Sequence, residues 1–340
     1  MKKTFLLILA LCHLLGLSAK SYDNPDTLFV ARDGTAEFRT VAQAVEVCRA
    51  FMEYHKVIFV KKGIYKEKII IPSWLTNIEI CGEDPLTTVI TYDDHANIQI
   101  PRVGIDPSAL TLNDGQPVTQ GMGTFRTYTV KVEGHDITFK NITIENNAAK
   151  LGQAVALHTE GDRLTFIGCR LLGNQDTVYT GTGGTRLLFV DCYIEGTTDF
   201  IFGPSTAWFE RCQLHSKSDS FITAASTPRE VEFGYVFSHC RLTAAEGVGR
   251  VFLGRPWRPY AHTLFMNCEM GAHIVAEGWN NWRNPDNERT ARYGEYGSTG
   301  PGASASRVPW SRQLTKKEAA AVTPARVFAL GQPWTLPVAF

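Results

Sequence analysis

The sequence predicts an all-β fold, a solenoid of stacked β coils, and one recurring pattern is the main reason. Phe is followed three places later by Cys in five copies and by Ile in a sixth. Successive copies lie 27, 23, 20, 28 and 28 residues apart, and they begin at Phe139, Phe166, Phe189, Phe209, Phe237 and Phe265. Short β-branched and aromatic runs, separated by Gly, Asn and Asp, fill the intervals. A variable repeat of this length is typical of stacked short strands.

The composition of the chain is that of an ordinary folded protein. Its 340 residues include 34 basic and 34 acidic side chains, and 44% of them are apolar. This excludes a disordered tail or a basic nucleic-acid arm. Length alone suggests about two domains, but one elongated repeat domain fits the same length. The repeat favours a single solenoid domain over residues 20–340, with a C-terminal tail from about residue 311.

The first 19 residues have the pattern of a secretory signal peptide. Lys2 and Lys3 precede an apolar run from Phe5 to Leu17, which ends in Ser18 and Ala19. No later stretch is long and apolar enough to span a bilayer. We therefore expect an exported protein, periplasmic or secreted, without a membrane span. The two lysines directly before the apolar run favour a bacterial signal.

Apolar residues at helical spacing predict a helix that caps the first coil. Residues Thr40–Gln43 resemble a capping box. The apolar positions that follow are Val41, Ala44, Val45, Cys48, Phe51 and Met52. Residues Leu314–Val322 predict a short C-terminal helix. The segment Asp94–Gln120 lacks periodicity and is expected to form a long loop.

The cysteines are best explained by the repeat. Cleavage after residue 19 would leave seven, an odd number that cannot form a fully paired disulfide framework. Free Cys behaves as a small buried hydrophobe, so the five repeated cysteines should stack in a ladder inside the coils. No Cys-x-x-Cys or His-x-x-x-His spacing occurs, and no phosphate-binding or dinucleotide fingerprint is present. We therefore expect no metal and no cofactor.

Two coils aligned on their cysteines bring two carboxylates together. Asp176 lies seven places after Cys169, and Asp199 lies seven places after Cys192. A common register would put them on successive coils, roughly 4.8 Å apart at the backbone. Two carboxylates that close cannot both ionise easily, so one would hold a proton while the other is charged. An external ladder of solvated Asp residues explains the spacing equally well.

A third residue, Asp219, also stands seven places after its cysteine, Cys212. Its coil departs from the other two, with Ser216 where they have Gly. By the same count, Ile222 takes the place of Tyr179 and Phe202. The hypothesis is that Asp176 and Asp199 are functional and that Asp219 is peripheral.

Four ordered motifs resemble those of the pectin methylesterase (pectinesterase) family, of bacterial type. They are Gly152–Leu157, Gly173–Tyr179, Asp199–Gly203 and Leu253–Trp257. The likeness extends from Asp33 to Trp310. It implies a right-handed parallel β-helix and a carbohydrate esterase that releases methanol from methyl-esterified homogalacturonan. An inhibitor-like domain that often precedes the catalytic domain of plant members is not seen between the predicted signal peptide and Asp33.

The resemblance also implies roles for particular residues. Asp199 would be the nucleophile, and Asp176 the acid that protonates methanol and then the base that activates water. Arg255 would favour the charge on Asp199 and fix its orientation. Gln153 and Gln175 would donate amide hydrogen bonds to the oxyanion, where one donor is typically worth about 3 kcal/mol.

Aromatic residues beside these motifs are suited to stacking on sugar rings. Trp257, Tyr179 and Phe202 are the candidates for substrate binding, with core packing as the alternative for each. Trp279 and Trp282 are weaker candidates, because they could equally support a loop.

Two other functions remain compatible with the sequence. A carboxylate pair about 5 Å apart is also the geometry of a retaining glycosidase, and a carbohydrate-binding solenoid would need no catalysis. The two glutamines favour an ester substrate. We expect methyl-esterified homogalacturonan (pectin) as the substrate, a monomer, and no nucleic-acid partner.

Overall fold

The computed structural model describes residues 20–101, 119–304 and 306–338, so the predicted signal peptide lies outside the described residues. Within these ranges the chain forms 28 strands, numbered in chain order. They are β1 (Leu28–Val30), β2 (Lys56–Val60), β3 (Gly63–Lys66), β4 (Ile69–Ile71), β5 (Thr76–Gly82), β6 (Thr88–Tyr92), β7 (Gln99–Pro101), β8 (Thr119–Gly121), β9 (Val130–Val132), β10 (His135–Lys140), β11 (Thr143–Asn146), β12 (Leu157–Thr159), β13 (Leu164–Ile167), β14 (Arg170–Leu172), β15 (Val178–Thr180), β16 (Arg186–Val190), β17 (Tyr193–Gly196), β18 (Ile201–Gly203), β19 (Thr206–Glu210), β20 (Gln213–Ser216), β21 (Phe221–Ala225), β22 (Tyr235–Ser238), β23 (Arg241–Ala244), β24 (Phe252–Gly254), β25 (His262–Met266), β26 (Glu269–Met270), β27 (Arg292–Tyr296) and β28 (Arg312–Gln313).

The strands form three long sheets, and successive strands of the chain pass from one sheet to the next. Sheet A has the order β1-β2-β5-β10-β13-β16-β19-β22-β25-β27-β28, sheet B has β26-β23-β20-β17-β14-β11-β6-β3, and sheet C has β24-β21-β18-β15-β12-β9-β4. All pairs within these sheets are parallel, whereas β7 and β8 form a separate antiparallel pair. The protein is therefore a right-handed parallel β-helix, which confirms the predicted fold.

The repeated pattern corresponds to one corner of each coil. The Phe lies on sheet A, and the residue just before each Cys (or Ile) has a left-handed backbone that turns the chain toward sheet B. These corner residues are Asn141, Gly168, Asp191, Arg211, His239 and Asn267, with φ between 49° and 60°. Asn, Asp, His and Gly adopt this conformation more readily than other residues, which explains their frequency at the position.

The six Phe rings form a continuous stack inside the coils. Neighbouring ring centroids lie 4.4 to 5.4 Å apart, and all six side chains are fully buried. The five repeated cysteines are buried beside them as free thiols, as predicted. Each thiol from Cys192 onward also lies within hydrogen-bonding distance of the backbone carbonyl of a Phe one coil earlier, as in Cys192 to Phe166 at 3.4 Å. The stack therefore fixes the register between coils.

The N-terminal helix covers the first coil, as predicted. It runs over Val41–Glu46, and Thr40 and Gln43 form the capping box. The helix is shorter than the apolar spacing suggested, because the chain turns at Val47. Cys48 and Met52 are still buried, but Phe51 has a left-handed φ of 55° and is 72% exposed, so its assignment to the helical face was wrong.

Short helices and a tail close the other end of the chain. They are Asn287–Thr290, Lys316–Ala320 and Pro324–Val327, the second of which lies inside the predicted helix. Val327 and Phe328 pack on the outer face of sheet A. None of the helices in the three described ranges has the length and apolar character of a membrane-spanning segment.

The predicted loop Asp94–Gln120 lies between β6 of sheet B and β9 of sheet C. Its described part is not entirely irregular, because β7 pairs with β8 at its end, and a 3-10 helix follows it at Thr124–Arg126. Residues 102–118 lie outside the described residues.

Candidate active site

The floor of the candidate site is a row of residues across sheet C. Strand register places Lys131, His158, Tyr179, Phe202 and Ala224 side by side on successive coils. The ring centroids of Tyr179 and Phe202 are 4.8 Å apart. The two rings therefore occupy equivalent positions on neighbouring coils.

Asp176 and Asp199 lie at the turns that lead into the strands of this row. Counting back from the paired residues Val178 and Ile201 puts the two aspartates opposite each other, as the cysteine register predicted. Both have a left-handed backbone, with φ of 68° and 48°. Each donates its N–H to a carbonyl on the following coil, at 3.1 and 2.8 Å. These bonds fix the backbone of both turns at the cleft.

A glycine in front of the turn allows this tight arrangement. A Cβ added to Gly196 would lie 2.2 Å from the Cβ of Phe200. Two carbon atoms that are not bonded cannot come this close. The turn that presents Asp199 therefore requires Gly at this position.

Arg255 holds Asp199 through two hydrogen bonds. Its Nε donates to Oδ1 at 3.0 Å and its Nη2 donates to Oδ2 at 2.6 Å. Paired bonds of this kind fix orientation as well as charge. Burial raises the pKa of Asp199, and the Arg255 guanidinium opposes that rise. Asp199 is therefore the better candidate for the ionised member of the pair.

Asp176 has no such partner. Among the described residues, no hydrogen bond or ion pair reaches its carboxylate. Burial raises the pKa of Asp176 well above its usual range, the negative charge of Asp199 raises it further, and Arg255 lowers it. This is the environment that keeps a carboxyl group protonated, so the pair can supply one acid and one nucleophile or base.

A cavity of about 210 Å³ joins the two aspartates to most of the other predicted residues. Its lining consists of Thr124, Phe125, Gln153, Gln175, Asp176, Asp199, Phe202, Ala224, Arg255, Trp257 and Trp282. Gln153 and Gln175 line it with amide groups that no hydrogen bond engages within the described part of the chain. Two amide donors are thus available to a ligand held beside the aspartates.

The aromatic candidates divide between the cleft and the core. Trp257 lines the cavity, with its ring 5.8 Å from that of Phe202. Tyr179 does not line the cavity itself, but adjoins it through Phe202. Trp282 also lines it, whereas Trp279 is 1% exposed and stacks on core aromatics. The two weaker candidates therefore have different locations, and only Trp282 belongs to the site.

Phe125 is a site residue that the sequence analysis missed. Its ring is 47% exposed and lies 4.8 Å from that of Tyr179. It lies in the 3-10 helix Thr124–Arg126, after the predicted loop and before the first copy of the repeat, so the repeat could not place it. An exposed aromatic over a polar cleft is the type of residue that stacks on sugar rings.

Asp219 is absent from the cavity, in agreement with the peripheral position that we hypothesised. Its carboxylate accepts hydrogen bonds from the backbone N–H groups of Gly249 and Arg250, and these lower its pKa. The alignment of its coil was wrong in detail, however. Nine residues separate Cys192 from Ile201, but eleven separate Cys212 from the partner of Ile201, Thr223. Because of the two extra residues, Ala224 and not Ile222 stands beside Phe202.

A larger cavity, about 700 Å³, lies elsewhere, on the outer face of sheet A below the C-terminal helices. It includes none of the predicted site residues. Its two carboxylates, Glu232 and Glu318, are ion-paired with Arg326 and Arg312. It therefore lacks the free carboxylate pair that distinguishes the cleft on sheet C.

The chain resembles known proteins of one family in both sequence and structure. A family model described as pectinesterase matches residues 27–104 and 93–331. The chain is 40% identical over 293 residues to pectinesterase 31 of Arabidopsis thaliana, covering 85% of this chain and 88% of that protein. The structure of pectin methylesterase from carrot matches with a TM-score of 0.78 at 29% identity, covering 91% of this chain and 95% of that one. A mutant pectin methylesterase in complex with a hexasaccharide matches with a TM-score of 0.74 at 29% identity, covering 91% and 98%.

Proposed function

The chain belongs to the pectinesterase family of carboxylic ester hydrolases, and from that membership we propose how its cleft works. The reaction is hydrolysis of the methyl esters of homogalacturonan (pectin) to pectate and methanol. We assign its chemistry to Asp199 and Asp176. The observation that carries this assignment is the asymmetry of the pair, because Asp199 is bound by Arg255 and Asp176 is not.

In the first half of the reaction, an ionised oxygen of Asp199 attacks the carbonyl carbon of the ester. The negative charge that develops on the carbonyl oxygen is stabilised by N–H bonds from Gln153 and Gln175. The intermediate collapses when the bond to the methoxy oxygen breaks. Asp176 gives its proton to that oxygen, and methanol leaves behind an acyl-enzyme on Asp199.

In the second half, water hydrolyses the acyl-enzyme. Asp176, now a carboxylate, takes a proton from the attacking water. The acyl bond to Asp199 then breaks, which frees the galacturonic acid group and restores both aspartates to their first protonation states; the product acid loses its proton to water and becomes galacturonate. A raised pKa suits Asp176 for both roles, since it must lose and regain one proton in each cycle.

The cavity aromatics are proposed to bind the polysaccharide. Trp257 and Phe202 line the cleft, and Tyr179 supports Phe202 from the neighbouring coil. Sugar rings stack on such faces while their hydroxyl groups remain hydrated. The match to a hexasaccharide-bound relative agrees with an extended ligand in this cleft.

The experiment that tests the assignment measures two products from methylated pectin. We expect methanol release without new reducing ends, whereas a glycosidase would shorten the chain. Asp199→Ala should abolish methanol release, and Asp219→Ala should retain it. Full activity of the Asp199 variant would overturn the proposed mechanism but not the family membership.

The cellular setting is also a proposal. Pectin is a wall polysaccharide, so the enzyme acts outside the cytoplasm. We propose that residues 1–19 are an export signal and that residues 20–340 form one β-helix domain that works as a monomer. The relative named above is from a plant, and the bacterial origin and the choice between periplasm and medium stay predictions. Removal of residues 1–19, with cell fractionation by activity, tests the export signal.

A further inference from the structure

The guanidinium group of Arg255 lies between two aromatic rings. Its Cζ is 4.0 Å from the ring centroid of Phe221 on one side and 3.6 Å from that of Trp282 on the other. The edge of the same group makes the two hydrogen bonds to Asp199. Three side chains outside the aspartate pair thus form one unit around the candidate nucleophile.

Backbone hydrogen bonds build this unit from adjacent coils. Asp199 donates its N–H to the carbonyl of Phe221 at 2.8 Å, and Arg255 donates its N–H to the carbonyl of Thr223 at 2.9 Å. Trp282 is fixed separately, since its N–H donates to Asn280 Oδ1 at 2.8 Å. The fold therefore fixes the backbone positions from which the carboxylate, the cation and both rings extend.

The rings restrict the motion that would break the paired hydrogen bonds. A guanidinium group makes two parallel bonds only when it is coplanar with the carboxylate. An arginine at an open cleft can instead rotate toward water, because its side chain has many rotamers. Aromatic faces on both sides block that rotation, and they attract the cation through their π electrons.

We propose that Phe221 and Trp282 are positioning residues that hold Arg255 in the plane of the Asp199 carboxylate, so that the nucleophile keeps its charge and its direction. This inference rests on the proposed role of Asp199. Trp282 also lines the cavity, but Phe221 does not. We therefore assign the effect of Phe221 on the reaction to its contact with Arg255.

The pH dependence of the reaction depends on the charged and titratable groups that interact electrostatically with Asp199. They are Asp176, Arg255 and the core residue Tyr293, and burial raises the pKa of the Tyr293 hydroxyl well above its usual range. Arg255 lowers the pKa of both aspartates. When its position is loosened, both the acid limb and the basic limb of kcat/KM should therefore move to higher pH. Loss of a sugar contact would move neither limb.

The test compares Phe221→Leu with three other variants. Leu keeps an apolar side chain but removes the ring face, and Phe221→Tyr restores a ring as a rescue. Phe252→Leu is the matched control, because Phe252 stacks on Phe221 at 5.4 Å and, in the described part of the chain, makes no ring contact with Arg255. Trp282→Leu removes the second ring face. Methanol release is measured as kcat and KM across the pH range, with Tm recorded for every variant.

For Phe221→Leu we expect both limbs to rise by roughly half to one pH unit, a partial loss of the charge effect on a carboxylate. We also expect kcat to fall by about tenfold, as small misplacements of reacting groups do. Trp282→Leu should raise both limbs as Phe221→Leu does, whereas Phe221→Tyr and Phe252→Leu should keep the wild-type limbs. Unchanged limbs in a folded Phe221→Leu variant, or the same shift in Phe252→Leu, would overturn the inference. Asp199→Ala separates the two proposals, since its retained activity would refute the mechanism itself.

Discussion

Asn in place of Asp176 should inactivate the enzyme and stabilise the fold at the same time. Asp176 is 8% exposed as a residue, its carboxyl group has no ion pair among the described residues, and the charge of Asp199 acts on it. Asn keeps its size but carries no titrating group. Loss of a general acid and base costs roughly 10²- to 10⁴-fold in rate, and we expect kcat to fall within that range.

The gain in stability depends on pH in a definite direction. The pKa of Asp176 is about 3.9 in an unfolded chain and well above its usual range in the folded one. Between the two values the folded chain binds the proton more strongly, so the free energy of unfolding falls as pH rises through that window. Each unit of pKa elevation removes about 1.4 kcal/mol, or roughly 2–4 °C in Tm. Asp176→Asn has no titrating group at this position, so its free energy of unfolding does not fall in this way.

Calorimetry from acid to neutral pH measures this effect, and Asp219→Asn is the control. At acid pH, below the unfolded pKa, wild type and Asp176→Asn should differ little in Tm, and the advantage of the variant should grow toward neutral pH. The pKa of Asp219 is lowered by two backbone N–H groups. Its contribution to the free energy of unfolding therefore changes with pH in the opposite direction. It stabilises the fold above the unfolded pKa and is lost as pH falls. Asp219→Asn should therefore keep full activity and gain no stability at neutral pH.

Two results would refute this reasoning. A stability gain that is the same at every pH would mean that titration of a buried carboxyl is not its cause. An Asp176→Asn enzyme with near wild-type kcat would mean that Asp176 transfers no proton.

Two further predictions concern the oxyanion site and the internal stack. Gln175→Leu should lower kcat about 10²-fold with little change in KM, because an oxyanion donor acts mainly in the transition state. Initial rates of methanol release measure both constants, and a rise in KM alone would contradict this prediction. Phe189→Ala should lower the free energy of unfolding by about 3–5 kcal/mol, because its ring stacks 4.7 Å from Phe166 and 4.6 Å from Phe209. Urea unfolding tests this against Phe51→Ala, an exposed ring whose removal should have far less effect.

The sequence was informative wherever one coil repeats the next. The spacing from Cys to Asp predicted that Asp176 and Asp199 would lie on adjacent coils, because the internal stack keeps both coils in register. The same count was misleading for Asp219, since its coil has two extra residues before β21. A repeat pattern gives only distances along the chain. Two extra residues at a corner shift the residues that follow in space, although the spacing from Cys to Asp stays the same.

Residues outside the repeat could not be placed in this way. Phe125 reaches the cleft from a segment without periodicity, and Trp282 follows the last complete coil. Trp279 and Trp282 were indistinguishable in sequence, yet one is in the core and the other covers Arg255. Their difference depends on a left-handed turn at Trp282, which no hydrophobic pattern encodes. The roles of the site residues came from resemblance to a family, and they stay predictions.

The two extra residues in the coil of Asp219 suggest how the cleft acquires its asymmetry. Without them, a third carboxylate would stand beside Asp199, and a single arginine would face three buried acids. With them, Asp219 moves to the surface, where backbone N–H groups bind it, and Phe221 takes the place beside Asp199. That ring then lies under the guanidinium of Arg255, which reaches Asp199 from the next coil. The two extra residues thus place an aromatic face where a like charge would stand. Of the three aspartates, only Asp176 then has a carboxylate without a cation or N–H partner among the described residues.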